Sequence, residues 1–225
     1  MARLTRLALA GHVHLLSLRA LEGVPLFVDE PDRVAFLQVS REAAAQHQVA
    51  LHAYALLEPQ VYLLATPVHT DGLSLFVQAL GRRYVSAYNR RHGRRGGLWD
   101  GRYRATVLQP GAAVLDGLLF IDSQAPADSG WTSAPHHLGS RRDAVLADCA
   151  EYWRLGNTPF DRELAYRRRL DEGLSARRSE QLAAAVHKGW AVGDGAFLAQ
   201  LAEHTGRPMQ PRPRGRPRKA TTAAE

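Results

Sequence analysis

The order of its periodic segments is the feature that most constrains how this chain can fold. From Leu73 to Tyr88 the apolar residues recur at intervals of three and four, which predicts a helix of at least four turns. The other segments with strand or helix periodicity are a strand at 12–18, a helix at 31–47, strands at 49–57 and 61–66, a strand at 103–109 and a helix at 112–122. This β-α-β-β-α-β-α order predicts an α+β fold with a ferredoxin-like antiparallel sheet and helices packed on it.

The second half of the chain changes character after Gly130. Helical periodicity near 143–153, 160–171, 175–188 and 194–204 predicts an all-α appendage. From Arg207 onward, proline and arginine dominate and no core can form, which predicts a disordered tail. We therefore divide the chain into an α+β domain (1–130), a helical C-terminal extension (131–206) and a basic tail (207–225).

Positive charge is concentrated in two blocks. The 225-residue chain has a net charge of +7. Residues 81–104 (GRRYVSAYNRRHGRRGGLWDGRYR) hold eight arginines against Asp100, and residues 205–225 hold five arginines and Lys219 against Glu225. Codon usage could explain the choice of arginine over lysine, but it cannot explain the clustering. Arginine offers a planar fork to phosphate and a face for stacking, so the blocks predict a polyanionic partner.

Cysteine and hydropathy patterns indicate the compartment. Cys149 is the only cysteine, which excludes an intramolecular disulfide and favours a reducing environment. The first 20 residues lack a convincing signal-peptide cleavage site, and no stretch approaches the ~20 apolar residues of a membrane span. We expect a cytoplasmic protein without a membrane partner.

Four sequence blocks carry a family resemblance. They are LRALEGVPLF (18–27), HAYALLEPQVYLLATP (52–67), GRRYVSAYNRRHGRRGGLWDGRYRATV (81–107) and WTSAPHHLG (131–139). Together and in this order they resemble the REP-associated tyrosine transposases, bacterial HUH-type single-tyrosine enzymes related to insertion-sequence transposases. The resemblance covers about residues 19–206, and the third block is its most specific part.

The resemblance implies a concrete activity. Enzymes of this family bind hairpins from repetitive extragenic palindromes and cut and join one DNA strand through a covalent phosphotyrosine. Two histidines in a His-hydrophobe-His strand hold Mg²⁺ or Mn²⁺, which polarises the scissile phosphate. Residues i and i+2 of a strand share a face, so both imidazoles can reach one ion.

The metal motif departs from the family pattern in this chain. Its histidine positions fall on Gln60 and Tyr62, a neutral amide and a phenol that are weak ligands for a hard cation. We therefore expect impaired or lost strand cleavage, and whether the chain is an enzyme stays open. One alternative is a rearranged metal site that uses His12 and His14, which spell His-hydrophobe-His on the first strand.

The resemblance places the nucleophile at Tyr84, with Tyr88 as second candidate and Asn89 as polar companion. Both tyrosines also continue the apolar stripe of the helix, so packing is the competing interpretation. We expect Tyr84 to lie at the solvent end of the stripe with its hydroxyl toward DNA. We also expect this tyrosine to serve in DNA contact or in packing, in preference to nucleophilic attack on a phosphate. The expected DNA-binding side chains of this block are Asn89, Arg82, Arg83, Arg90, Arg91, Arg94, Arg95, Arg102 and Arg104.

The tail contains PRPRGRPRK (211–219), which resembles an AT-hook. Gly215 would let the backbone approach, and Arg214, Arg216 and Arg218 would lie in an A/T-rich minor groove, where the negative potential is deepest. A non-specific basic tail that only raises affinity is the alternative.

The leading hypothesis is a DNA-binding protein of transposase descent that recognises hairpin or single-stranded DNA and has weak or no cleavage. The alternatives are an active transposase or nuclease with an altered metal site, and an RNA-binding or scaffold protein. The DNA sequence that is recognised and the oligomeric state stay open at this stage.

Overall fold

A computed structural model describes residues 7–126 and 131–210. The strands are β1 (His14–Arg19), β2 (Val49–Leu56), β3 (Gln60–Pro67) and β4 (Arg104–Val107). The helices are α1 (Glu30–Gln46), α2 (Gly72–Arg91), α3 (Ala112–Asp122), α4 (Ala134–His137), α5 (Ala150–Trp153), α6 (Pro159–Glu172), α7 (Ala176–Lys188) and α8 (Gly195–Thr205). The AT-hook-like residues Arg214, Arg216 and Arg218 lie outside the described residues, and so does most of the predicted tail.

The four strands form one antiparallel sheet in the order β2-β3-β1-β4. Leu16 of β1 pairs with Leu63 of β3 on one side and with Ala105 of β4 on the other. The order and directions confirm the predicted ferredoxin-like α+β fold. The observed elements differ from the predicted bounds by one or two residues at most ends, which is the usual scatter of helix and strand termini.

Helices cover the sheet on both faces, and the alternation along each strand decides which face a residue serves. Leu16 and Leu63 belong to a core with α1 and α2 that includes Phe36, Phe76 and Tyr84. The neighbouring residues Leu15 and Leu64 point the other way, into a second core with α3 and the C-terminal helices. Side chains two residues apart share a face, so β1 and β3 separate the two cores.

The C-terminal segment extends the second core and covers an edge of the sheet. Residues such as Tyr152, Tyr166 and Val186 pack in the same cluster as Leu118 of α3. The backbone of residues 131–133 pairs with the end of β2, and Ala147 N donates to Leu51 O at 2.7 Å. This edge is therefore protected from pairing with another chain.

One predicted helix is wrong in most of its length. Only Ala150–Trp153 of the predicted 143–153 helix is helical, and α4 was not predicted. The Asp143 carboxylate accepts the Tyr54 hydroxyl at 2.7 Å and the Val145 N–H at 2.9 Å, so it holds a turn at this point. Ala147 then continues in contact with β2 instead of in a helical turn.

Local capping explains where two long helices begin. The Asp29 carboxylate accepts the Asp32 N–H at 3.2 Å, and a proline follows at the first turn of α1. Thr158 and Asp161 form a reciprocal capping box at the start of α6. Over the two described ranges, no helix combines the length and the apolar character that crossing a membrane would require.

Candidate nucleic-acid interface

Positions 60 and 62 lie on the α3 face of β3. The Gln60 amide donates from Nε2 to Ser17 Oγ at 2.5 Å. The Tyr62 ring packs edge-on against Phe120, with 5.2 Å between ring centroids. Burial raises the pKa of Tyr62 above its ordinary value, so the phenol stays protonated at neutral pH and has no anionic oxygen to offer a cation. These residues do not fit the divalent metal that the family resemblance implies.

Tyr84 lies on the opposite face of the sheet from positions 60 and 62. It is 1% exposed and packs edge-on against Phe36, with 5.1 Å between ring centroids. Its hydroxyl donates to Leu26 O at 2.5 Å, and burial strongly raises its pKa. The prediction of a solvent-facing hydroxyl is therefore wrong, because the apolar stripe of α2 continues inward through this residue. The sheet separates Tyr84 from any phosphate at Gln60 and Tyr62.

The two companions of Tyr84 also have structural partners. The Tyr88 hydroxyl donates to Pro25 O at 2.8 Å, and the ring is buried. Asn89 Nδ2 donates to Gly96 O at 2.8 Å, and Asn89 O accepts the Arg94 N–H at 2.8 Å. Asn89 thus closes the loop after α2 on both its backbone and its side chain, and its side-chain donor is engaged inside the protein.

The helix that faces positions 60 and 62 is α3. Its residue in ring contact with Tyr62 is Phe120, which is 4% exposed and has no hydroxyl. Sequence reasoning did not single out Phe120. The alternation along β3 could have shown which helix lies beside these positions. Its residues Val61, Leu63 and Ala65 point toward α1 and α2, so Gln60 and Tyr62 lie on the other face of the sheet.

The alternative metal pair on the first strand is not supported by the geometry. The His14 imidazole accepts the Leu9 N–H at Nε2, 3.1 Å away, and its Nδ1 lies 2.7 Å from His12 O. A neutral imidazole has one donor and one acceptor nitrogen, so both nitrogens of His14 are engaged by backbone. His12 precedes β1, and its Nδ1 lies 3.0 Å from Ala10 O.

Among the described residues, one other group has the composition of a metal site. It consists of His136, His137 and Asp148, whose ligand atoms lie within 4.8 Å of one another. His136 accepts the Asp143 N–H at Nδ1, so its single lone pair is used and its Nε2 carries the proton donated to Asp148 at 3.1 Å. His137 Nδ1 donates to the buried Asp122 at 2.6 Å. The geometry is that of a buried hydrogen-bond network that ties α3 to the C-terminal helices.

Six of the eight arginines of the 81–104 block fall into two groups. The first faces acidic or backbone groups of the protein itself: Arg91 contacts Asp29 and Asp32 at 2.5 Å, Arg83 lies 3.8 Å from Glu42, and Arg94 donates to Gly97 O at 3.3 Å. Their charge is partly balanced within the chain. The ion pair with Arg91 also lowers the pKa of Asp29.

The second group lies where β1 and β4 meet the irregular segment 99–103. We call Arg19, Arg82, Arg102 and Arg104 the arginine edge, and all four side chains are exposed. Arg104 donates to His187 O at 2.7 Å. The guanidinium groups of the other three make no ion pair with any residue in 7–126 or 131–210. Sequence reasoning missed Arg19 because it lies 62 residues before the basic block. Arg90 and Arg95 are exposed elsewhere along the block.

A small cavity of about 50 Å³ joins the arginine edge to Gln60, which falls on a metal-histidine position of the resembled family. It is lined by Ser17, Arg19, Gln60, Asp100, Arg102, Arg104 and His187. Burial, followed by the nearby charges of Arg104 and Arg19, lowers the pKa of His187. With three arginines against one aspartate, the cavity suits an anion and repels a cation.

A larger groove of about 510 Å³ opens on the α2 side of the same edge. It lies between α2 and the segment 99–103, and Trp99 and Tyr103 are its aromatic lining residues. Arg19 and Arg102 line both the groove and the small cavity, so the two form one positively charged surface.

No protein-family model matches this chain, and no curated protein matches it. Its fold has solved counterparts. A REP-associated tyrosine transposase bound to a REP hairpin is similar with a TM-score of 0.50 at 10% identity, over 67% of this chain and 93% of that one. A candidate transposase from Deinococcus radiodurans R1 is similar over 49% of this chain and 88% of its own, at 22% identity and a TM-score of 0.36. The resemblance carried by the sequence blocks is thereby confirmed at the level of the fold.

Proposed function

We propose that this protein binds DNA through the arginine edge and does not cleave it. The observation that carries the proposal is the gathering of Arg19, Arg102 and Arg104 around a cavity that contains Gln60, the position of a lost metal ligand. Guanidinium groups bind phosphate oxygens with paired, charge-assisted hydrogen bonds. A phosphate that once needed a cation would find fixed positive charge in its place.

The preferred substrate in this proposal is hairpin DNA or the single strand beside a hairpin. The solved transposase with the same fold is bound to a REP hairpin. The arginine edge offers a narrow strip of charge, which suits one strand at the end of a stem. The AT-hook-like tail with Arg214, Arg216 and Arg218 would add affinity for A/T-rich minor grooves and lies outside the described residues.

The absence of cleavage in this proposal rests on four side chains. Gln60 and Tyr62 make poor cation ligands, and Tyr62 is packed against Phe120. Phe120 has no hydroxyl, and the hydroxyl of Tyr84 is buried on the other face of the sheet. These four residues therefore supply neither a metal site nor a nucleophilic hydroxyl at the small cavity.

Fluorescence anisotropy with a labelled REP-type hairpin tests the binding. The double variant Arg102→Glu/Arg104→Glu should bind about tenfold or more weakly, since each lost contact is a charge-assisted hydrogen bond. The matched control is Arg168→Glu/Arg169→Glu on the exposed face of α6, which changes the net charge equally. Equal losses in the two double variants would refute a specific role for the arginine edge. EDTA should leave the affinity unchanged.

Incubation of the labelled hairpin with Mg²⁺ or Mn²⁺ tests the cleavage. We expect no covalent protein–DNA adduct on a denaturing gel. An adduct that disappears in Tyr84→Phe would overturn the non-cleaving part of the proposal and leave the binding part intact. Competition by a structured RNA of equal length distinguishes the remaining alternative: tight RNA binding with indifference to the DNA hairpin would overturn the choice of DNA.

A further inference from the structure

The groove between α2 and residues 99–103 has the size and lining of a ligand site. Its volume of about 510 Å³ lies within the range of small-molecule pockets. Trp99 and Tyr103 contribute aromatic surface, and the Tyr103 hydroxyl is 3.0 Å from Ser74 Oγ, which fixes the orientation of the ring. Leu18, Leu75 and Val77 add apolar lining. Such a surface favours a flat, partly apolar ligand.

A buried donor in the groove wall has no hydrogen-bond partner among the described residues. Trp99 Nε1 is buried and makes no hydrogen bond with any described residue. It lies beside Gly81, 3.4 Å from the position that a Cβ would take there. An unpaired buried N–H is destabilising, and an acceptor on a ligand that reached between Trp99 and Gly81 would satisfy it.

Gly81 keeps this part of the groove open at a cost to the helix. It lies in the middle of α2, where glycine is less favourable than alanine. An alanine Cβ would meet the nearest side-chain atom at 3.4 Å, an ordinary contact, so packing does not require glycine. A residue that breaks the local rule without a packing reason points to a functional one.

The charges around the groove indicate what kind of flat ligand it takes. Arg19, Arg82 and Arg102 line its rim and make no ion pairs with described residues. Arg19 and Arg102 also line the small cavity that suits an anion. An aromatic groove beside an anion cavity matches a nucleobase and its phosphate.

We propose that this groove receives one unstacked base of a bound DNA strand, while Arg19 and Arg102 hold the phosphate beside it in the small cavity. The inference rests on the proposed DNA binding and adds a base-binding site to it. The base stacks on Trp99 or Tyr103, and a base acceptor takes the Trp99 N–H. Stacking on an aromatic side chain tolerates every base, so the site senses the presence of a base more than its identity.

The test measures the affinity for hairpins that lack single bases, in the wild type and in a variant whose groove is filled by a larger side chain. Single abasic substitutions are placed in turn at each unpaired nucleotide next to the stem of the REP-type hairpin. For the wild type, one position should weaken binding about 5- to 150-fold, the range of base–aromatic stacking. Gly81→Leu, which fills the groove, should bind intact and abasic hairpins with equal affinity. Ser86→Leu, an exposed site on the same helix that does not line the groove, should behave as the wild type.

A second variant and a direct readout guard against misfolding. Gly81→Ala should fold with unchanged or higher thermal stability, and Trp99→Phe should reduce the abasic effect without filling the groove. A 5-iodouracil at the sensitive position should crosslink to Trp99 or Tyr103 on irradiation, and mass spectrometry can identify the crosslinked residue.

The outcomes separate the two proposals. If wild type and Gly81→Leu bind the hairpin tightly and show the same abasic profile, the base site is refuted and the DNA binding survives. If the wild type does not bind the hairpin at all, the proposed function is refuted, and so is the proposal that the groove receives a base of a bound strand. Binding of free deoxynucleotide monophosphates that Gly81→Leu abolishes, in the absence of hairpin binding, would reassign the groove to a free nucleotide.

Discussion

Replacing Tyr84 with phenylalanine distinguishes a structural tyrosine from a nucleophile. The substitution removes the hydroxyl that donates to Leu26 O at 2.5 Å and leaves a buried carbonyl without this partner. An unsatisfied buried acceptor is destabilising by about 1–3 kcal/mol, while the ring contacts with Phe36 and Trp99 are kept. We therefore expect the free energy of unfolding to fall by about 1–2 kcal/mol.

The assay is urea unfolding followed by circular dichroism, together with hairpin affinity. For a chain of this size, 1 kcal/mol corresponds to about 2–4 °C in Tm, so the thermal midpoint should fall by roughly 2–8 °C. Affinity for the hairpin should stay within about twofold of the wild type, because Tyr84 does not reach the arginine edge. Unchanged stability combined with loss of a DNA adduct would refute the structural interpretation.

Three further predictions test the packing, the titration and the lost metal site. Gly117→Ala should lower the free energy of unfolding by about 1–3 kcal/mol in urea titrations, because the new Cβ would lie 2.6 Å from Leu108 Cδ1 and press α3 off the sheet. The contribution of Tyr152 to stability should be constant up to about pH 10 and be lost above it in pH-dependent unfolding, since burial raises the pKa of Tyr152 to about 12 and the unfolded phenol ionises first; an equally steep decline in Tyr152→Phe would contradict this contribution. Gln60→His/Tyr62→His should raise Mn²⁺ affinity in calorimetry but yield no DNA adduct, because Phe120 and Tyr84 supply no hydroxyl there; an adduct would show that a nucleophile had been overlooked.

Periodicity was sufficient to predict the fold because each element carries its own pattern. The stripe from Leu73 to Tyr88 predicted α2 and its burial, and the order of elements predicted the sheet. The 143–153 helix failed because a side-chain turn at Asp143 and pairing with β2 outweigh local helical propensity. The turn at Asp143 and the pairing with β2 both involve residues that are far away in sequence, and a local periodic pattern carries no information about such contacts.

The candidate site was less predictable for the same reason. The basic block was visible in sequence, but Arg83 and Arg91 turn to acids of α1, and Arg19 joins Arg102 from a different strand. The predicted orientation of Tyr84 was wrong because it followed the family resemblance, whereas the apolar stripe of the helix had already indicated packing and the residue is buried.

The residues at the positions of the family's metal histidines stabilise the fold of this chain in their own right. Gln60 is hydrogen-bonded to Ser17 across the pair of central strands, and Tyr62 packs on Phe120 of α3. A cation between positions 60 and 62 would have to break both contacts and sit beside Arg19, Arg102 and Arg104. The amide of Gln60, the phenol of Tyr62 and the ring of Phe120 already have partners within the protein, and the three arginines supply positive charge beside Gln60. The residues at this site therefore suit direct binding of an anion and do not suit binding through a metal, so the proposed binding of DNA should not depend on a divalent cation.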